Sequence, residues 1–105
     1  MPKSRNTTAK LPPVHPGEIL RETLDDLGLS MNQLAQEIHV PANRISAIVA
    51  GKRSVTGETA LRLARYFGST PAFWMNLQAR FDLETASEAA GAAINAHVQP
   101  RERAA

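Results

Sequence analysis

The chain contains no cysteine, which excludes disulfides, thiol nucleophiles and cysteine-ligated zinc. No apolar run approaches the ~20 residues that a membrane span needs, and no apolar block of the signal-peptide kind stands near the N-terminus. A soluble, cytoplasmic protein without a membrane partner is therefore expected. Glycine-rich phosphate loops, internal repeats and any His/acid/nucleophile set are also missing. No metal, cofactor or catalytic group is expected, and the chain is not read as an enzyme. Acid is scarce in two places. Residues 1–10 carry Lys3, Arg5 and Lys10 with no acid, and residues 44–65 carry Arg44, Lys52, Arg53, Arg62 and Arg65 against Glu58 alone. Acid collects instead at Glu18, Glu22, Asp25 and Asp26, with Arg21 among them. In a chain of 105 residues and net charge +2, this separation is the electrostatic footprint of a nucleic-acid binder. Charge scattered over a solvated surface is the plainer alternative.

What is present supports the first of these. Hydrophobic residues make up 43% of the chain, enough for one small core plus a tail. In Ser30 to Arg53, apolar residues fall at Met31, Leu34, Ala35 and Ile38, then at Ile45, Ile48 and Val49. Both sets follow helical spacing. The helices that carry them are joined by a turn of three or four residues at His39, Val40 and Pro41, so the two short helices must cross steeply, as in a helix-turn-helix. Ser30 can cap the first helix, Ala35 lets the two approach, and Pro41 suits the first turn of the second. Gly51 can take the left-handed conformation that ends it.

This pattern resembles the XRE group of phage-repressor-like DNA-binding proteins, in which the second helix of the motif lies in the major groove. More narrowly, HPGEIL at 15–20, VPANRIS at 40–46 and GKRSVTGETALRLARYFGSTPAFWMNLQ at 51–78 resemble the HigA-type antitoxins, over about residues 14–85. One departure stands out. The turn position that the family usually gives to glycine is His39, so a left-handed turn must be carried by a residue that tolerates it only at a cost.

The fold expected is all-α: a five-helix, phage-repressor-like DNA-binding domain over 14–86, with the helix-turn-helix at about 30–51. A flexible basic arm (1–13) precedes it and a C-terminal extension (87–105) follows. His15-Pro16-Gly17-Glu18 opens the first helix, with His15 read as a cap rather than half of a metal or acid–base pair. Leu20, Leu24 and Leu27, with Ile19, form its buried face, and Gly28 ends it. Thr56 caps a fourth helix whose core face is Ala60, Leu63, Ala64 and Phe67, ending at Gly68. Arg62 and Arg65 lie off that face and are read as solvated. Thr70-Pro71 opens a fifth helix, on which Phe73, Trp74, Leu77 and Phe81 make a stripe that serves as core, dimer interface or both. Beyond Gly91, a weak alternation from Ile94 to Val98 is compatible with continued helix, a short strand or disorder. Such a strand or helix would be used in dimerisation.

On the second motif helix, a core direction set by Ile45, Ile48 and Val49 turns Asn43, Ala47 and Ala50 outward, with Arg44 and Ser46 on the flanks. Small residues let a helix sink into a groove. Asn43 can pair with an adenine edge, Ala47 can lie against a thymine methyl, and Arg44 can reach a guanine or a phosphate; Ala42 and Ser46 complete the base-contacting set. Asn32 and Gln33, beside the first-turn N–H groups of the preceding helix, and Lys52 and Arg53 are read as phosphate contacts. The function expected is a homodimeric repressor reading an inverted repeat in double-stranded operator DNA, its recognition helices about 34 Å apart. The HigA resemblance adds that such a protein neutralises a RelE-like mRNA-cleaving toxin and represses the operon encoding both. A stand-alone regulator without a toxin is the alternative. A protein–protein adaptor would favour acidic or bulky apolar residues where Asn43, Arg44 and Ala47 stand.

Overall fold

The computed structural model describes residues 11–102; Lys3, Arg5 and Lys10 of the expected basic arm lie outside the described residues. Five helices follow in order: α1 (Pro16–Leu27), α2 (Met31–Ile38), α3 (Ala42–Val49), α4 (Gly57–Phe67) and α5 (Pro71–His97). No strand forms among the described residues. Each start has a local cause. Ser30 and Gln33 form a reciprocal capping box on α2, Thr56 caps α4, and Thr70 with Pro71 opens α5, so donors without intrahelical partners are satisfied. Pro41 stands one residue earlier than expected, as the cap position of α3 without a side-chain bond. The α2–α3 turn is made by His39 at φ 62°, ψ 49°, the left-handed conformation expected of it. Val40 N–H then donates back to Ala35 at 3.0 Å.

Leu20, Leu24, Leu34, Ile38, Ile45, Ile48, Val55, Leu63 and Trp74 are buried together around Ala35 and Ala60. Leu27, expected in this core, is 61% exposed. It is the last residue of α1, and the chain reverses at Gly28 (φ 63°). Leu29, whose N–H reaches the Leu24 carbonyl at 2.9 Å, packs against the core instead.

Gly17 has a role that periodicity does not reveal. A methyl group there would stand 1.9 Å from the Ile48 carbonyl oxygen and 2.9 Å from the Val49 Cα. The first turn of α1 is thus seated on the backbone at the end of α3, and only hydrogen fits between them.

The fifth helix settles the C-terminal region. It runs unbroken past residue 86 and through Gly91 to His97. The alanine-rich 86–93 segment favours helix strongly enough to absorb one glycine, and continued helix prevails over a strand. Of the stripe on its first turns, Trp74 is buried, Leu77 and Phe81 are half-buried, and Phe73 is 45% exposed. Phe73 lies about 100° around the helix from Trp74. The place beside Trp74 on the buried face belongs to Gln78, which is 4% exposed.

Candidate nucleic-acid interface

The outward side of α3 carries Ala42, Asn43, Ser46 and Ala50, all exposed, while Ala47 is half-buried. The Ser46 hydroxyl donates to the Asn43 backbone carbonyl at 3.2 Å, and the Asn43 side chain is exposed. Arg44 is less open than a flank position suggests. Its side chain is 23% exposed, its Nη1 lies 3.8 Å from Glu58 Oε1 in the first turn of α4, and its Nε is buried with no partner among the described residues. The guanidinium is laid along α4 rather than extended into solvent.

Arg62, read from sequence as solvated, is a structural tie. Its Nη1 donates to the Ile38 carbonyl at 2.9 Å and its Nη2 to Glu58 Oε2 at 3.0 Å. It thereby satisfies a carbonyl at the end of α2 and steadies the carboxylate that faces Arg44. Arg65 is exposed, as expected. The two arginines hold the Glu58 carboxyl below its ordinary value, the Arg62 hydrogen bond being the largest cause.

The expected phosphate contacts fall into two groups. Asn32 and Gln33 are exposed at the start of α2, but Gln33 is partly committed. Its N–H donates to Ser30 Oγ at 3.0 Å and its Oε1 accepts from Ser30 N–H at 2.9 Å. Lys52 and Arg53 are exposed in the loop after α3. That loop is pinned from beneath by α5, where Gln78 Oε1 accepts from Val55 N–H at 2.8 Å and Gln78 Nε2 donates to Asp82 at 2.9 Å. A buried amide with both ends satisfied holds a loop in one place. Hydrophobic patterning passes over a glutamine, so sequence reasoning missed it.

His15 closes the same junction. Its Nδ1 accepts from Gly17 N–H at 2.9 Å, while His15 N–H donates to Glu18 Oε2 at 3.3 Å. The capping role is as expected. The ring is buried, edge-on to Phe81 with centroids 4.8 Å apart. Burial pushes its pKa below the ordinary 6.5, against the opposing pull of Asp82 and Glu18. Below pH 6.5 the unfolded chain takes up a proton that the folded one resists, so this stability is complete above that pH and is lost as pH falls toward the folded-state value. The melting temperature is expected to fall between about pH 7 and pH 5, above the carboxylate range. A His15→Asn variant, which keeps a cap acceptor, should flatten that slope in a thermal-melt series.

Among the described residues, no cluster of His, Cys, Asp and Glu could hold a metal ion, and no helix is long and apolar enough to cross a membrane.

Comparison with known proteins matches the helix-turn-helix family model (HTH_3) over residues 20–74. Virulence-associated protein I of Dichelobacter nodosus is 48% identical over 80 residues, 75% of this chain and 74% of that protein. Among solved structures, a HigA-family addiction module antidote protein from Coxiella burnetii superposes with a TM-score of 0.84 at 49% identity, covering 86% of this chain and 99% of the other. Antitoxin HigA of Pseudomonas aeruginosa, solved with the higBA promoter, gives 0.83 at 41% identity over 86% and 99%.

Proposed function

Because the chain belongs to the XRE-type helix-turn-helix family, in its HigA group, we propose that it is a DNA-binding antitoxin. It acts in the cytoplasm as a homodimer on an inverted repeat in its own promoter, and it silences a RelE-like mRNA-cleaving toxin. The observation that carries the DNA reading is the outward face of α3: small residues and a free amide, flanked by Arg44 and followed by exposed Lys52 and Arg53. Such a ridge fits a major groove. Asn43 would read an adenine, Arg44 a guanine or a phosphate, and Ala47 a thymine methyl, with Ala42 and Ser46 alongside. Asn32, Gln33, Lys52 and Arg53 would hold phosphates, which makes affinity steeply salt dependent.

The dimer reading rests on α5. At 27 residues it is ~40 Å long, and beyond Phe81 nearly all of it is exposed, with Leu83 71% and Ile94 51% open. A lone helix of this composition gains stability by packing its apolar groups, and a second copy supplies a matching face.

Asn43→Ala and Arg44→Ala are each expected to weaken operator binding by about 1–3 kcal/mol and to relax base preference. The measurement is a gel-shift titration on a duplex spanning the DNA upstream of the chain's own reading frame, with single-base variants. Wild-type binding by both would remove the groove assignment. For the toxin, the test is co-purification with the product of the adjacent reading frame and loss of its mRNA cleavage on mixing. A neighbour that neither binds nor is inhibited would leave a stand-alone regulator.

A further inference from the structure

We propose that Glu58 is the positioning residue for Arg44, holding the guanidinium of the recognition helix in its DNA-reading place before DNA arrives. The inference rests on the groove reading of α3 and assigns a role to a residue outside it. A carboxylate in the first turn of α4 is explained in part by the helix dipole, so its position alone decides nothing. The connections decide it. From the Ile38 carbonyl at the end of α2, Arg62 reaches Glu58 at 3.0 Å, and Glu58 faces Arg44 of α3 at 3.8 Å. One carboxylate therefore ties the groove-facing helix to the two helices behind it.

The state of Arg44 argues the same way. An arginine on an open helix flank keeps its rotamer freedom unless something holds it. Here the side chain is 23% exposed and its Nε is sealed from solvent, which leaves the Nη groups as its available donors. Ordering such a side chain at the moment of binding costs affinity, and ordering it beforehand removes that cost. Arg62 holds the Glu58 carboxyl below its ordinary value, which favours the charged form that faces Arg44. A carboxylate close to DNA also repels phosphate. Its presence beside the reading helix is a net disadvantage for non-specific binding, and positioning supplies the compensating gain for the specific complex.

The experiment compares wild type, Glu58→Gln, Glu58→Asp, Arg44→Ala and the Arg44→Ala/Glu58→Gln double variant. Each is titrated on the promoter duplex, its single-base variants and a scrambled duplex of equal length, with melting temperature as the folding control. Loss of one pre-ordered side chain corresponds to a roughly two- to tenfold drop in affinity. Glu58→Gln is expected to show that drop on the promoter duplex only, with equal or tighter binding to the scrambled one. The base preference lost should be the one that Arg44→Ala loses, and the drop should vanish in the Arg44→Ala background. Glu58→Asp keeps the charge but shortens a reach already at 3.8 Å, and should follow Glu58→Gln. Equal tightening on both duplexes, or a drop that persists undiminished without Arg44, overturns the proposal while leaving the groove reading standing. If Asn43→Ala and Arg44→Ala both bind as wild type, it is the groove reading that has failed, and this role goes with it.

Discussion

Replacing Gly17 by alanine is expected to be the most damaging single-methyl change in the chain. The added carbon would meet the Ile48 carbonyl oxygen at 1.9 Å and its carbon at 2.8 Å. Both are backbone atoms at the end of a helix whose side chains are locked in the core, so no rotamer change can relieve the clash. Overpacking typically costs ~1–3 kcal/mol, more where nothing can yield, and a loss at or above the top of that range is expected here. For a domain of this size, that lowers the melting temperature by on the order of 15 °C. DNA binding should fall with it, because α1 is the seat on which the end of α3 rests. Gly57→Ala is the control: nothing lies within 4 Å of a methyl group there, and the melting point should hold or rise slightly. Wild-type melting of Gly17→Ala would mean that α1 does not sit on α3 in this way.

Trp74→Ala is expected to cost ~3–5 kcal/mol, measured by urea or thermal unfolding. The indole is 2% exposed, edge-on to Phe73 with centroids 5.1 Å apart and tilted against Phe67 at 6.3 Å. Its loss would empty the junction between α4 and α5. Trp74→Phe provides an informative contrast. The indole Nε1 is buried with no partner among the described residues, and an unsatisfied donor carries a penalty of ~1–3 kcal/mol. Phenylalanine removes that penalty while keeping most of the ring, so it should lie much nearer wild type than alanine. A large loss for Trp74→Phe relative to wild type would show that the indole hydrogen is bonded in the folded protein.

The two expectations differ in what could be read beforehand. Trp74 sat in a stripe that was plainly core or interface, and burial resolved the choice for each member: Trp74 inside, Leu77 and Phe81 at the margin, Phe73 largely outside. Gly17 sat in a motif legible as a helix start, where proline and acid account for the pattern and the glycine looks incidental. His39 was legible through the family resemblance, which puts a left-handed turn, usually glycine, at that position. The outward face of α3 was legible as a face. That Arg44 leans on Glu58, and that Arg62 is a tie rather than a solvated charge, was not.

By itself, the order of residues determined where the five helices begin and where the first four end, to within a residue or two, which side of most of them is apolar, and that two short ones must cross. Caps, helix-ending glycines and the 3.6-residue period act within one or two turns, so neighbours along the chain suffice to specify them. Tertiary structure alone decided the contact of Gly17 with Ile48, the Gln78–Val55 bond across 23 positions and the Arg62–Ile38 bond across 24. Those depend on separations between helices of a few ångströms, and such distances exist only after the core has closed and every helix has taken its angle from all the others.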